Sequence, residues 1–558
     1  MSLSLSENLL PIIAITLLSL IVTHFCIMRI PQLFLSSPSE KKPDHQVTKP
    51  TSLIPELAVI IKNLLSELPS RIILPDDTDA FRQLMNVYWA KQECEVLPAC
   101  IIQPQTVQQL STIVKILKRA FDDLNHGING AKEKRTGIFA VRGGGHSPVS
   151  GAASIEGGII IDLSLFREVT PSEDRKSVVI GAGCKWGDVS KVLDQKGLAV
   201  VGGRNSAVGV GGLTLGGGIS FFTPRFGLVC SNVISYEVLL ASGSLIKASE
   251  STHPDLWRAL KGGGNNFGIV TSFTVKCFPC ADIWSGFLYL PSFQTSKVLA
   301  AFHQTIENYS SHSKSENTAG PIVCFSYVHS LGIQAISVNL VDTSPPPNPR
   351  KWPTYWKNSP FNSLWRLWST CKTQSLSSAT DELNALNPPG RRQIFVTTTI
   401  KNDATTLTGV HAAYSNAIPA LRHRNVKGLA WTLFIQPLLP AWVRKGDPNP
   451  LGLDEEQDSL VLVSFTINWD ERKDDEFMRD MARSTLNEID AFARANGTAH
   501  RYRYFNYCTG WQRPFEGYGE ENKRFLEEVR KKYDVDGLFQ RGCTGGFKLS
   551  FHGEDGEA

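Results

Sequence analysis

The sequence predicts an α+β protein in two parts: a glycine-punctuated unit of alternating strands and helices, and a second unit built on an antiparallel sheet. Three observations carry this expectation. A chain of 558 residues is too long for one ordinary hydrophobic core, so two packed domains are expected. Between Cys100 and Cys277, short apolar runs alternate with helical periodicity and are punctuated by glycine clusters. After Pro279 the composition shifts to longer strand-like runs separated by Pro/Asn-rich loops such as Pro345–Pro349.

Composition narrows the function classes. Hydrophobic residues make up 42% of the chain and charged residues 20%, which is the profile of a folded globular protein. A formal charge of +4 over this length, without a long Lys/Arg run, gives no reason to expect a nucleic-acid partner. Eleven cysteines are scattered without metal-site spacing. Cys277 and Cys280 form a single C-x-x-C that lacks the second pair of a zinc site. The odd count leaves at least one thiol free or paired between chains.

The elements follow in order. Asn8 to Met28 has no charged side chain other than His24 and is long enough, at ~1.5 Å per residue, to cross a ~30 Å hydrocarbon core. Residues 1–31 are therefore expected to be a single-pass membrane anchor; a cleaved signal peptide, leaving a secreted protein, is the alternative. Arg29, Lys41 and Lys42 favour a cytoplasmic body by the positive-inside rule. The sequons at Asn308 and Asn496 would matter only in the secretory lumen, so the orientation stays open. Residues 32–95 read as a linker and N-terminal helices. Leu110, Ile113, Val114, Leu117, Phe121 and Leu124 recur at helical spacing. Strands are expected at Ile138–Val141, Ile159–Leu163, Val178–Ile180 and Tyr236–Leu240, with a helix from Trp186 that stops at Gly197.

From Trp284 to Trp469 the segments read as strands, namely Ile333–Val341, Ile394–Ile400, Ala430–Ile435 and Leu460–Trp469. Phe477, Met481, Ile489 and Phe492 suggest one helical face, and a last amphipathic helix contains Phe525, Leu526, Val529 and Tyr533.

Glycine clusters at 143–145, 209–218 and 262–268 suggest an anion cradle, because glycine lets backbone N–H groups approach a diphosphate with no Cβ in the way. None is a P-loop, since no Gly-Lys-Ser/Thr follows. Val141-Arg-Gly-Gly-Gly-His-Ser-Pro148 resembles the pyrophosphate loop of the vanillyl-alcohol-oxidase and p-cresol-methylhydroxylase (PCMH) flavoproteins. Ile159–Leu163, Val208–Gly218 and Trp257–Val270 match in the same order. Phe505-Asn-Tyr507, Tyr533–Phe539 and Gly545-Gly-Phe-Lys548 resemble the C-terminal berberine-bridge segment and the ending of fungal relatives. The resemblance spans about Tyr88 to Leu549.

The resemblance implies a two-part FAD-binding domain over 96–280, an antiparallel-sheet substrate domain over 281–500, and a segment 501–558 that returns to the FAD domain. It assigns cofactor contacts to Arg142, Gly143, Gly144, Gly145, His146 and Ser147 in the first loop. In the second it assigns Val208, Gly209, Gly211, Gly212, Thr214, Gly217 and Gly218. Asn266, Gly268, Ile269 and Asn506 complete the set. His146 matches the histidine that bonds covalently to the flavin 8α-methyl group. Many relatives carry a cysteine three residues before the valine at 208, forming a second bond; Asn205 stands there, so a single attachment is expected.

Tyr507 matches the general base of several relatives, which removes a substrate proton as hydride passes to the flavin. A phenol with a pKa of ~10 needs nearby positive charge for that work. Arg501 and Arg503 are the neighbours in sequence that could supply it if the segment is a strand. The residue at Val208 acts in the family as an oxygen gate, and valine favours an oxidase that passes electrons to O₂. A dehydrogenase with another acceptor and an inactive flavin-binding protein are the alternatives. The substrate is expected to be a small organic molecule such as a secondary-metabolite intermediate; Trp431 and Phe434 would suit a planar or apolar one, and core packing explains them equally well. A monomer is expected.

Overall fold

The computed structural model describes residues 55–126, 137–309, 315–349 and 351–549. The apolar run Asn8–Met28 lies outside them. Among the described residues, no helix is long and apolar enough to cross a membrane.

The first sheet has five strands in the order Ile72–Ile73, Cys100–Ile102, Ile159–Asp162, Phe139–Arg142 and Cys543–Thr544. The last four run parallel. Parallel strands bury both faces, and the alternation of side chains shows it here. Cys100, Ile102, Ile159 and Ile161 join the main core, to which Leu110, Ile113, Val114 and Leu117 of the helix Val107–His126 also belong. Ile101 and Ile160 point the other way, into a small cluster with Phe81, Met85 and Tyr88. The edge strand Cys543–Thr544 brings the end of the chain back onto Phe139–Ala140.

A second, antiparallel sheet contains Val169–Pro171, Ser177–Gly181, Ile269–Pro279, Val233–Leu239 and Leu245–Ser249, with Leu198–Val200 added on Ile269–Pro279. The helix expected to stop at Gly197 spans Trp186–Asp194, and Gly197 takes a positive φ of 61° just beyond it.

The third sheet is antiparallel and has nine strands, Leu460–Trp469 and Ala430–Leu438 among its central ones. One face packs on helices: Val463, Phe465, Trp431 and Leu433 share a core with Leu407 and Tyr414 of Ala404–Arg424 and Met478 and Leu486 of Asp475–Ala495. The helices Thr295–Tyr309, Leu376–Ala385 and Ala404–Arg424 were not among the expected elements. The last begins Ala-Thr-Thr-Leu-Thr and contains Gly409 and Pro419, so local propensity argues against it. It forms because Asp403 caps it, accepting from Thr406 N at 2.7 Å, and because Leu407, Val410, Tyr414 and Leu421 are buried. The helix Asp475–Ala495 also differs in face. Its buried stripe is Met478, Ala482, Leu486, Ile489 and Ala493, which leaves Phe477 and Met481 on its flank and Phe492 exposed at its edge.

The ten described cysteines are all free thiols, Cys277 and Cys280 included.

Candidate active site

A cleft of about 2980 Å³ is walled by the glycine loops, the uncovered face of the nine-stranded sheet and the segments 504–516 and 539–549. Small-molecule pockets usually measure ~300–1,000 Å³, so this one has room for a dinucleotide and a substrate together.

The strand Phe139–Arg142 delivers the first glycine loop to this cleft. Gly144 and Gly209 cross in backbone contact: a Cβ on Gly144 would lie 2.4 Å from Gly209 Cα, and one on Gly209 would lie 2.6 Å from Gly144 N. Neither position accepts a side chain. Gly212, in the short helix Val210–Leu215, differs, because a Cβ there would meet nothing within 4 Å. Its free side opens into the cleft. Gly143, Gly145, Ser147, Val208 and Gly211 wall the same cleft, as do Gly268 and Ile269 from the third glycine segment.

His146 follows Gly145, whose φ of +64° turns the loop. Its ring stacks on Trp89, with centroids 4.5 Å apart and planes 7° from parallel. Trp89 is itself pinned by its Nε1, which donates to Asn387 O at 3.0 Å, and by its backbone N–H, which donates to Gly145 O. Burial pushes the His146 pKa down to about 4, so the imidazole is neutral at physiological pH. Its Nε2 is shielded from solvent and has no hydrogen-bond partner. A buried neutral nitrogen without a partner suits a bond to a ligand carbon, so the residues present fit an attached flavin.

Five expected cofactor residues are placed elsewhere. Arg142 turns under the loop, where its guanidinium donates to Asp162 at 3.0 Å and to Leu84 O at 2.7 Å and stacks on Tyr88. With both charges of the Arg142–Asp162 pair buried, the side chain braces the loop and does not face the cleft. The buried Thr214 and the turn glycines Gly217 and Gly218, packed against Leu451 and Val229, also lie off the cleft wall. Asn266 is buried and fully engaged: it donates to Gly263 O and Phe547 O and accepts from Gln540 Nε2 and Leu549 N. It fastens the end of the chain to the glycine segment.

Tyr507 and Asn506 lie on a 3₁₀ turn, Phe505–Tyr507, rather than on a strand. Asn506 Nδ2 donates to Leu213 O at 3.0 Å and Gly216 O at 3.3 Å, which ties the turn to the end of the Val210–Leu215 helix. The Tyr507 ring is boxed by Phe395, Phe434 and Tyr504, each close to perpendicular to it. Phe395 also touches Trp89 at 5.4 Å, so an aromatic row joins Tyr507 to the ring stacked on His146.

The cation beside Tyr507 is neither Arg501 nor Arg503. Arg503 pairs with Asp490 at 3.1 Å, and Arg501 lies exposed against Gly519. Arg204 Nη2 instead donates to Tyr507 Oη at 3.0 Å, and Arg204 Nη1 donates to Gln436 Oε1 at 2.8 Å. Sequence reasoning missed Arg204, Gln436 and Trp89. Arg204 stands beside Asn205, the position already singled out, and that adjacency was the available signal. Phe434 lines the cleft, whereas Trp431 is buried on the opposite, helix-covered face, as the period of two requires for positions three apart.

A glycine-built dinucleotide cleft with a shielded histidine nitrogen at one point and a boxed tyrosine at another defines an FAD-dependent oxidoreductase of the PCMH fold. The FAD binding domain family matches residues 98–249. The chain belongs to a family of fungal FAD-linked enzymes, the FAD-dependent monooxygenases among its relatives. The FAD-dependent monooxygenase FUP4 of Fusarium proliferatum is 35% identical over 474 residues, covering 83% of this chain and 87% of the relative. The FAD-dependent monooxygenase tpcD of Cochliobolus heterostrophus is 33% identical, with 83% and 87% covered. Among solved structures, 6-hydroxy-D-nicotine oxidase from Arthrobacter nicotinovorans superposes with a TM-score of 0.65 at 22% identity, covering 85% of this chain and 97% of that one. Berberine bridge enzyme from Eschscholzia californica gives 0.64 at 14% identity, covering 88% and 100%. At such identities these two share the fold.

Proposed function

We propose that this protein oxidises a small organic molecule, a secondary-metabolite intermediate, with FAD held covalently on His146, Tyr507 as general base and O₂ as the final acceptor. The observation that carries the reading is the position of Tyr507: with its hydroxyl held by Arg204, it lines the same cleft as His146, whose Nε2 has no partner. Bound FAD supplies a two-electron acceptor for hydride. His146 supplies the neutral nitrogen for its attachment, and the glycines 143–145, 209, 211 and 212 wall the cleft where a diphosphate is held, with open space over Gly212. Asn205 offers no thiol for a second bond. Tyr507 receives the substrate proton at Oη, and Phe395 and Phe434 flank it as apolar, planar walls that exclude water. Ser326 and Thr432, hydrogen-bonded to each other on the cleft face of the sheet, leave space for a flat molecule with oxygen substituents.

A second reading, insertion of one oxygen atom into the substrate, is favoured by the name monooxygenase borne by the fungal relatives. Candidate intermediates tested under ¹⁸O₂ separate the two: an oxidase releases labelled H₂O₂, and a monooxygenase labels its product. Within this reading we take 96–280 as the FAD domain, 281–500 as the substrate domain and 501–558 as the returning segment, supported by the pairing of Cys543–Thr544 with Phe139–Ala140. Asn8–Met28 is proposed as a membrane anchor, with a cleaved signal peptide as its alternative.

The deciding experiment is anaerobic flavin reduction by such intermediates. Tyr507→Phe keeps the flavin spectrum and slows reduction by ~10²–10⁴-fold. Reduction at the wild-type rate would remove Tyr507 from the mechanism.

A further inference from the structure

A tyrosine acts as a base only through its phenolate oxygen, and two separate things must be arranged for that oxygen: its place and its charge. The three perpendicular rings around Tyr507 settle the place. They are apolar or neutral and offer the charge nothing. The charge-bearing neighbour comes from a distant loop, and it is built in with some care.

That loop leaves the strand Leu198–Val200 and lies flat on an indole. Cβ atoms on Gly202 and Gly203 would come within 2.6 and 2.4 Å of the Trp186 ring, so only glycine lets the chain pass there. The next residue is Arg204, half-buried at the cleft wall. Arginine has donors and no acceptor, so the carboxamide it meets must present oxygen. Gln436 does so at 2.8 Å, and in that orientation its buried Nε2 has no partner. The amide therefore serves to aim the guanidinium, at the expense of one of its own hydrogen bonds. The other arm of the fork reaches Tyr507 Oη. Among the described residues, Arg204 is in no ion pair, although carboxylates wall the same cleft, Glu156 and Glu516 as well as Asp470, Asp475 and Glu95. The last three are matched to Arg391 and Arg392. A cation aimed at a phenol, with no carboxylate of its own, has as its natural counter-ion the anion that forms on that phenol.

We propose that Arg204, aimed by Gln436, is a positioning residue that holds the oxygen of Tyr507 as the anion required of a base. The proposal rests on the role given to Tyr507 above, and its test is independent of turnover. A fluorotyrosine is placed at position 507 in the FAD-loaded protein, and its fluorine resonance is followed against pH, with no substrate present. Arg204→Met is expected to move the fluorophenol titration upward by about one to three pH units, as loss of an adjacent cation does. Arg204→Lys restores most of that shift, because it returns the charge. Gln436→Leu, which keeps the cation and removes its aim, moves the titration part of the way in the same direction. Bound flavin absorbance shows that each variant is folded, and Gln436→Leu keeps the test open should Arg204→Met fail to fold.

Superimposable titrations in the wild type, Arg204→Met and Gln436→Leu overturn the proposal. So does an upward shift in Arg204→Met that Arg204→Lys leaves unrestored, since the charge is then not the cause. Failure of the general-base reading shows in a different measurement, the unslowed flavin reduction of Tyr507→Phe, so the two ideas can fall separately.

Discussion

Gly144→Ala and Gly212→Ala add the same methyl group to neighbouring glycine loops, and the structure assigns them opposite effects. At Gly144 the new Cβ would lie 2.4 Å from Gly209 Cα and 2.5 Å from Gly209 N, both backbone atoms. Carbon atoms rest ~3.5–4.0 Å apart, so one loop must move by more than about 1 Å. Overpacking of this kind costs about 1–3 kcal/mol, or more where the backbone itself resists. At Gly212 the methyl meets nothing within 4 Å, and the position lies inside the Val210–Leu215 helix. Alanine there gains roughly 0.8–1 kcal/mol of helix propensity over glycine. The flavin-free Gly212→Ala protein should therefore unfold at slightly higher denaturant concentration than the wild type, and Gly144→Ala at clearly lower. FAD loading does not follow stability: Gly212→Ala, although more stable, takes up less FAD than the wild type because the methyl occupies the open side of the cradle. Denaturant unfolding of the flavin-free proteins, with FAD content read from absorbance after desalting, gives both quantities. Wild-type FAD content in Gly212→Ala would refute the argument that the space over Gly212 receives the cofactor. Wild-type stability in Gly144→Ala would refute the rigid crossing of the loops.

Two more perturbations test the histidine and the carboxylate beneath its loop. Wild-type protein should keep FAD through acid precipitation on one peptide containing residue 146, and His146→Ala should release it while retaining part of its affinity; freely dissociating FAD in the wild type sinks the covalent reading. Glu93 is buried and accepts from Gly151 N and Ala153 N at 2.8 Å, and burial pushes its pKa up to about 7 from an ordinary 4.5. A raised carboxylate pKa adds stability that is complete below about pH 4.5 and lost as pH rises through about 7. Glu93→Gln, which cannot ionise, should therefore gain on the wild type over that window by up to about 3 kcal/mol. Urea unfolding at pH 4.5 and pH 8 measures this, and a stability difference that does not change with pH counts against it.

Much of the FAD-binding half was legible because its signals are local. Ile159–Asp162 reads as a buried strand from four residues, and the glycine clusters announce close backbone approach wherever they stand. The order of the motifs was enough to identify the family. The side-chain assignments within those motifs fared differently. Arg142 belongs to the pyrophosphate loop by position, yet its guanidinium is spent on Asp162 and Leu84 O beneath it. Whether a side chain at a loop's base points toward the ligand or away is decided by what packs there, and here Tyr88 and Asp162 do.

The helix Ala404–Arg424 was hidden for a related reason. Its threonines, glycine and proline argue locally against a helix, and only the sheet that it covers makes the conformation favourable. The cation beside Tyr507 was hidden in the same manner: a strand would have set Arg501 and Arg503 beside it, whereas a 3₁₀ turn gives the place to Arg204, 303 residues away. By itself the sequence determined which backbone segments can adopt tight, glycine-dependent or regularly periodic conformations, because those depend on each residue and its near neighbours. The tertiary structure alone decided which cation meets the tyrosine and which indole backs the histidine. Those pairings join segments far apart in the chain, and their energies arise only once packing has brought the segments within a few ångströms of each other.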